Sequence, residues 1–161
     1  MSTLSIYITR SILIFYTCFV VHDLGAQQND LEIIRNRIYN QILDSYSGVK
    51  NNNLNSKVFD DLMINQILDD FDGEKWPKID YSDVSREGFD NRIHLNNIVR
   101  MSVAYKNSLS KYYGDKTLIK KIIKGLQFWC ENDFIGDNWW NNQIGTPRSM
   151  VELMLIVGEE L

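Results

Sequence analysis

Apolar residues recur along most of this chain at helical spacing. Between Asp30 and Tyr46 they fall at Leu31, Ile34, Ile38, Ile42 and Tyr46, which predicts one helix face with Asp30 as its cap. Asn51-Asn52-Asn53 is a polar break. A second, less regular helix is predicted over about Asn55–Leu68, with Phe59, Met63 and Ile67 four apart. Asp69 to Gly88 carries turn residues and Pro77, and reads as an extended loop. A third helix is predicted over Asp90–Leu109, with Ile98, Met101, Tyr105 and Leu109 as its stripe. A fourth, Asp115–Cys130, turns Leu118, Ile122, Leu126 and Trp129 inward, with Lys120, Lys121 and Lys124 toward its C-terminal end.

Glu131–Gly145 reads as another long loop, rich in Asn and Trp. Thr146-Pro147 then predicts a helix start, an N-cap followed by proline in the first turn. The last helix, Pro147–Val157, is apolar on several sides, at Met150, Val151, Leu153, Met154, Ile156 and Val157. Such a helix expects neighbours on more than one face, and the chain stops soon after it, so the sequence reads as unfinished. No alternating run of strand length is present in this reading, and the expectation is an all-α fold of helix–loop–helix pairs.

The first 26 residues are not read as part of that fold. Arg10 precedes an uncharged, mostly apolar run, Ser11 to Val21, too short to span a bilayer as a helix. Leu24-Gly25-Ala26 then supplies a small residue for cleavage. Residues 1–26 are therefore expected to be a secretory signal peptide cut near Ala26, giving a secreted chain, extracellular or periplasmic, with no membrane attachment afterwards. Residues 27–161 retain one cysteine, Cys130, expected to be a buried small hydrophobe, and one histidine, His94, expected to be structural.

Composition narrows the chemistry. The 161 residues carry 17 Lys+Arg against 21 Asp+Glu, a net charge of -4, which argues against a nucleic-acid partner. Two cysteines and two histidines exclude a disulfide scaffold and a His-rich metal site. No phosphate loop, metal-ligand spacing or nucleophile–base signature is present, so no cofactor is expected. Asp72, Asp80 and Asp83 would suit a paired-carboxylate glycosidase, although turn formation accounts for them better. Asn138-Trp139-Trp140-Asn141-Asn142-Gln143 remains. A ring face flanked by amides suits a sugar, stacking on its C–H side while Asn bonds its hydroxyls. The same tryptophans could equally staple a long loop onto the helices. Arg148, close by in sequence, could pair with a sugar carboxylate or with a neighbouring acid.

These motifs carry a family resemblance. Asp72-Gly73-x-x-Trp76-Pro77-x-Ile79-Asp80-Tyr81, Tyr112-Tyr113-Gly114-Asp115, Phe128-Trp129 and Asn138-Trp139-Trp140-Asn141-Asn142-Gln143-Ile144-Gly145-Thr146-Pro147-Arg148 resemble the polysaccharide lyases of family 8. These are the chondroitin AC, hyaluronate and xanthan lyases, and the tryptophan block is the specific part. The resemblance implies helical hairpins forming part of an incomplete (α/α) toroid over residues 27–161, the N-terminal portion of the domain. It implies an acidic polysaccharide as partner, cleaved by β-elimination at the uronic acid. Trp139 and Trp140 would form the sugar platform, assisted by Asn138 and Asn141. Neither His94 nor any of Tyr81, Tyr105, Tyr112 and Tyr113 occupies the motif of a catalytic residue, so the chain is expected to hold part of the cleft and no catalytic group. The alternative is a self-contained secreted carbohydrate-binding module without catalysis.

Overall fold

The computed structural model describes residues 28–46 and 59–161. The expected signal peptide and the Asn51–Asn53 break lie outside them. The described residues are helical or irregular, with no strand among them, as the sequence pattern predicts.

The chain divides into two compact units, Met1–Ile38 and Tyr39–Leu161, and the boundary falls within the first helix, α1 (28–46). In the first unit, Leu31, Ile33, Ile34 and Ile38 are exposed, so the predicted stripe is not buried at its N-terminal end. Asp30 lies inside the helix rather than capping it. In the second unit the stripe is buried as expected at Ile42, and Tyr46 is half-buried.

Three further helices build the second unit's core with α1's end: α2 (Asp61–Asp69), α3 (Asn91–Lys106) and α4 (Lys116–Asn132). A fifth, α5 (Thr146–Val157), closes the chain. Asp60 caps α2 by accepting from the Met63 amide at 3.2 Å, and Asp115 caps α4 through the Thr117 and Leu118 amides. α3 is the central element, packed by α2, α4 and α5. Leu95, Ile98, Val99, Met101, Val103 and Ala104 are all buried, as are its polar residues Asn91, His94 and Ser102. Each large apolar side chain so placed contributes about 1.5–3 kcal/mol.

Several sequence expectations are corrected here. The most enclosed helix is α3, not the last one, because buried Asn91, His94 and Ser102 disguise its apolar surround. On α5, Leu153, Ile156 and Val157 are buried, whereas Val151 and Met154 are exposed. α3 ends at Lys106, leaving Leu109 exposed beyond it. α4 runs on to Asn132, so its lysines lie mid-helix and its last turn holds no cation. Cys130 is exposed. It follows the buried Trp129 by one residue, about 100° around the helix, which carries it off the packed face.

The chain between α2 and α3 has no regular structure but is held firmly. Asp72 accepts from the Glu74 and Lys75 amides at 3.0 and 2.9 Å, and Gly73 turns there with φ +112°, a region that favours glycine. This tight turn delivers Trp76 to the core, where its indole donates to the Ile67 carbonyl at 2.8 Å. Tyr81 follows. Its hydroxyl accepts from the Trp76 amide at 3.2 Å and reaches His94 Nδ1 at 2.8 Å.

Candidate functional site

The candidate site is built by the chain leading into α5. α4 stops at Asp133, whose φ of 44° is left-handed and ends the helix. The following loop is clamped by Asn142, which donates to the Gly136 carbonyl at 2.7 Å and accepts from the Gly136 amide at 3.0 Å. Asn138 then starts a new helical segment. Its Oδ1 accepts from the Trp140 amide at 3.0 Å, and its Nδ2 donates to the Arg86 carbonyl at 3.2 Å. Its amide is thus engaged at both ends, in positioning the two tryptophans.

The structure corrects the boundary predicted here. Trp139 and Trp140 are helical, and a π-helical turn, Asn141–Gly145, joins them without interruption to α5. The Thr146 amide bonds the Asn141 carbonyl, five residues back, and no side chain caps Thr146. Proline lacks an amide hydrogen and clashes with the carbonyl four residues earlier, which is why Thr146-Pro147 resembled a helix start. The wider turn just upstream accommodates Pro147 inside a continuous helical path.

Both tryptophans are exposed, 58% at Trp139 and 42% at Trp140, and they diverge around the helix. Trp140 lines a cleft of about 380 Å³ together with Tyr46, Arg92, Asn141, Arg148 and Glu152. Trp139 and Asn138 are not among its lining residues. The Trp140 ring lies against Gly145, where a Cβ would come within 2.8 Å of it. Asn141 is buried at the cleft. Arg148 is open to solvent, and its Nε donates to Glu152 Oε1 at 3.1 Å. The Tyr46 hydroxyl donates to Glu152 Oε2 at 3.4 Å. Burial, and secondarily the Glu152 charge, push the Tyr46 pKa above its usual value, so it remains a neutral donor.

Of the five residues proposed from sequence, the cleft gathers Trp140, Asn141 and Arg148. Tyr46, Arg92 and Glu152 were missed. The four-residue spacing of Arg148 and Glu152 was a readable signal, but α1 and α3 contribute across the fold and carry none.

The other candidates resolve as structural. Asp80 accepts from the Ser82 amide and hydroxyl, and Asp83 from the Ser85 amide, each within its own turn. Those bonds hold both pKa values below the usual carboxylate range, so neither provides the raised acid that a glycosidase needs. His94 is fully buried among Trp76, Tyr81, Phe128 and Trp129. Its Nε2 lies 2.8 Å from the Gly125 carbonyl. No group of three metal-ligating side chains occurs among the described residues.

Comparison with known proteins defines the class. The chain belongs to polysaccharide lyase family 8: that family's N-terminal α-helical domain matches residues 27–161. Chondroitinase-AC of Pedobacter heparinus is 29% identical over 82 residues, 51% of this chain and 12% of that enzyme. A solved structure of chondroitinase AC lyase, from work on its oligosaccharide complexes, superposes with a TM-score of 0.63 at 22% identity. That match covers 77% of this chain and 18% of the other. The chain therefore spans about an eighth of the curated relative it matches.

Proposed function

We propose that this chain furnishes part of the sugar cleft of a secreted polysaccharide lyase acting by β-elimination on uronic-acid-containing polysaccharides of the chondroitin, hyaluronan or xanthan type. Residues 1–26 serve as the export signal, cleaved near Ala26. No helix among the described residues is long and apolar enough to cross a membrane.

The observation that carries this reading is the cleft itself. It is lined by Trp140, Asn141, Arg92 and Arg148 together. An aromatic face covers the C–H side of a pyranose, an amide serves hydroxyls, and a guanidinium matches a carboxylate. Trp139, exposed one position away and outside this cleft, offers a separate ring face to the polysaccharide, and Asn138 acts by holding both tryptophans in place. Abstracting a C–H proton next to a uronate requires a base and stabilisation of the developing charge. His94, sealed in the core, supplies neither, and binding is the role assigned to this chain.

Calorimetric titration of the chain with chondroitin and hyaluronan oligosaccharides tests the reading. Binding is expected, weakening with salt, and falling sharply in Trp140→Ala and Arg148→Ala variants that keep their helical circular dichroism. The ultraviolet absorbance of an unsaturated uronate is expected not to develop. Absence of binding, or binding indifferent to both substitutions, would overturn it.

A further inference from the structure

Arg148 and Glu152 form an ion pair whose stability rationale is weak. Arg148 is 76% exposed at its side chain, and exposed pairs contribute little. Within a helix, the basic residue four positions before the acidic one is also the less favourable order. Yet the Glu152 side chain is only 15% exposed, and its second oxygen is tied to Tyr46. A carboxylate drawn into a cleft and bonded from two elements orients what it holds.

We propose that Glu152 is a positioning residue: by occupying Nε of Arg148, it turns the two terminal nitrogens of the guanidinium outward to grip a uronate carboxylate end-on. Each guanidinium has five donor hydrogens in a fixed plane, and Nε carries one. With that hydrogen engaged at 3.1 Å, the paired Nη edge remains for a ligand. Tyr46 keeps Glu152 from turning to solvent, so α1 sets the orientation of a side chain on α5. The negative charge of Glu152 also offsets the positive charge of Arg148, which tempers nonspecific polyanion binding. This role for the sugar rests on the function proposed above.

Two readouts separate the claims. The Nε–Hε signal of Arg148 is followed by nuclear magnetic resonance while inorganic sulfate is titrated, and oligosaccharide affinity is measured beside it. In Glu152→Ala the signal is expected to broaden into exchange. Sulfate and uronate oligosaccharides should then bind roughly 2- to 10-fold more weakly than they bind Glu152→Gln, which has lost the same charge, the cost of ordering one long side chain on binding. Carboxyl-reduced oligosaccharide should bind as before. Glu152→Gln, which keeps the acceptor, should restore the signal and bind both anions at least as tightly as the unaltered chain. An unaltered Nε–Hε signal in Glu152→Ala, or uronate and sulfate affinities equal in Glu152→Ala and Glu152→Gln, overturns the positioning role. If sulfate and the signal respond as expected but no uronate oligosaccharide binds the unaltered chain, the proposed function fails and the positioning role stands.

Discussion

The Tyr81 hydroxyl donates to Nδ1 of His94 across 2.8 Å, fastening the irregular segment between α2 and α3 onto the central helix. The direction of that bond follows from the far side of the ring. The Gly125 carbonyl can only accept, so Nε2 carries the hydrogen and Nδ1 must accept. The Trp76 amide in turn donates to Tyr81, giving a chain of three bonds with each donor and acceptor used once.

Tyr81→Phe should therefore be destabilising while leaving the cleft untouched. It strands a buried imidazole nitrogen and the Trp76 amide, at about 1–3 kcal/mol. Urea unfolding should show a lower midpoint with an unchanged slope. A midpoint equal to that of the unaltered protein would count against the bond chain as a fastening.

His94 also sets a pH dependence. Burial holds its pKa down to about 4, against the Gly125 bond, which favours the charged form. The folded chain thus binds fewer protons than the unfolded chain wherever a free histidine is charged. Stability from this group is complete above about 6.5 and is lost as pH falls through about 4, with a slope of at most about 1.4 kcal/mol per unit. Asp72, Asp80 and Asp83 are lowered from 3.8, so their contributions fade below that window. Thermal melts between pH 4 and 6.5 should slope upward in the unaltered chain and flatten in His94→Gln; equal slopes would refute the assignment.

Gly145→Ala should disturb the cleft without unfolding α5. The added methyl would sit 2.8 Å from the Trp140 ring and displace it, while alanine suits a helix better than glycine. Helical circular dichroism should be retained, tryptophan emission should shift, and oligosaccharide affinity should fall. Undiminished affinity would show that the ring's seat on Gly145 is immaterial.

Cys130 should react with a thiol reagent in the folded protein. Its exposure predicts modification in residues 27–161 without denaturant, with little change in melting temperature. Protection until unfolding would contradict the position found on α4.

Element by element, the pattern of apolar residues marked helices wherever one face is buried. Leu118, Ile122 and Trp129 on α4 are the clearest case, and Asp115 marked its start correctly. It located α3 as well but understated its enclosure, because that helix meets neighbours on most sides. His94 and Ser102 look like interruptions of α3 because their partners, Tyr81, the Gly125 carbonyl and the Ile98 carbonyl, are invisible in the local pattern. Pro147 does lie in the first turn of α5, as expected, and what the local pattern hid is the π turn that carries the helical path upstream of it.

By itself the sequence determined the all-α class, the turns made by Asp72, Asp80 and Asp83, and the tryptophan block that carries the family likeness. These depend on periodicity and on side chains bonding their own backbone a few residues away. Only the tertiary structure decided that Trp140, Asn141 and Arg148 share a cleft with Tyr46, Arg92 and Glu152, while Trp139 lies outside it. That choice arises from how α1, α3 and α5 pack. Packing brings together residues as far apart in sequence as Tyr46 and Glu152, a relationship that no local spacing encodes.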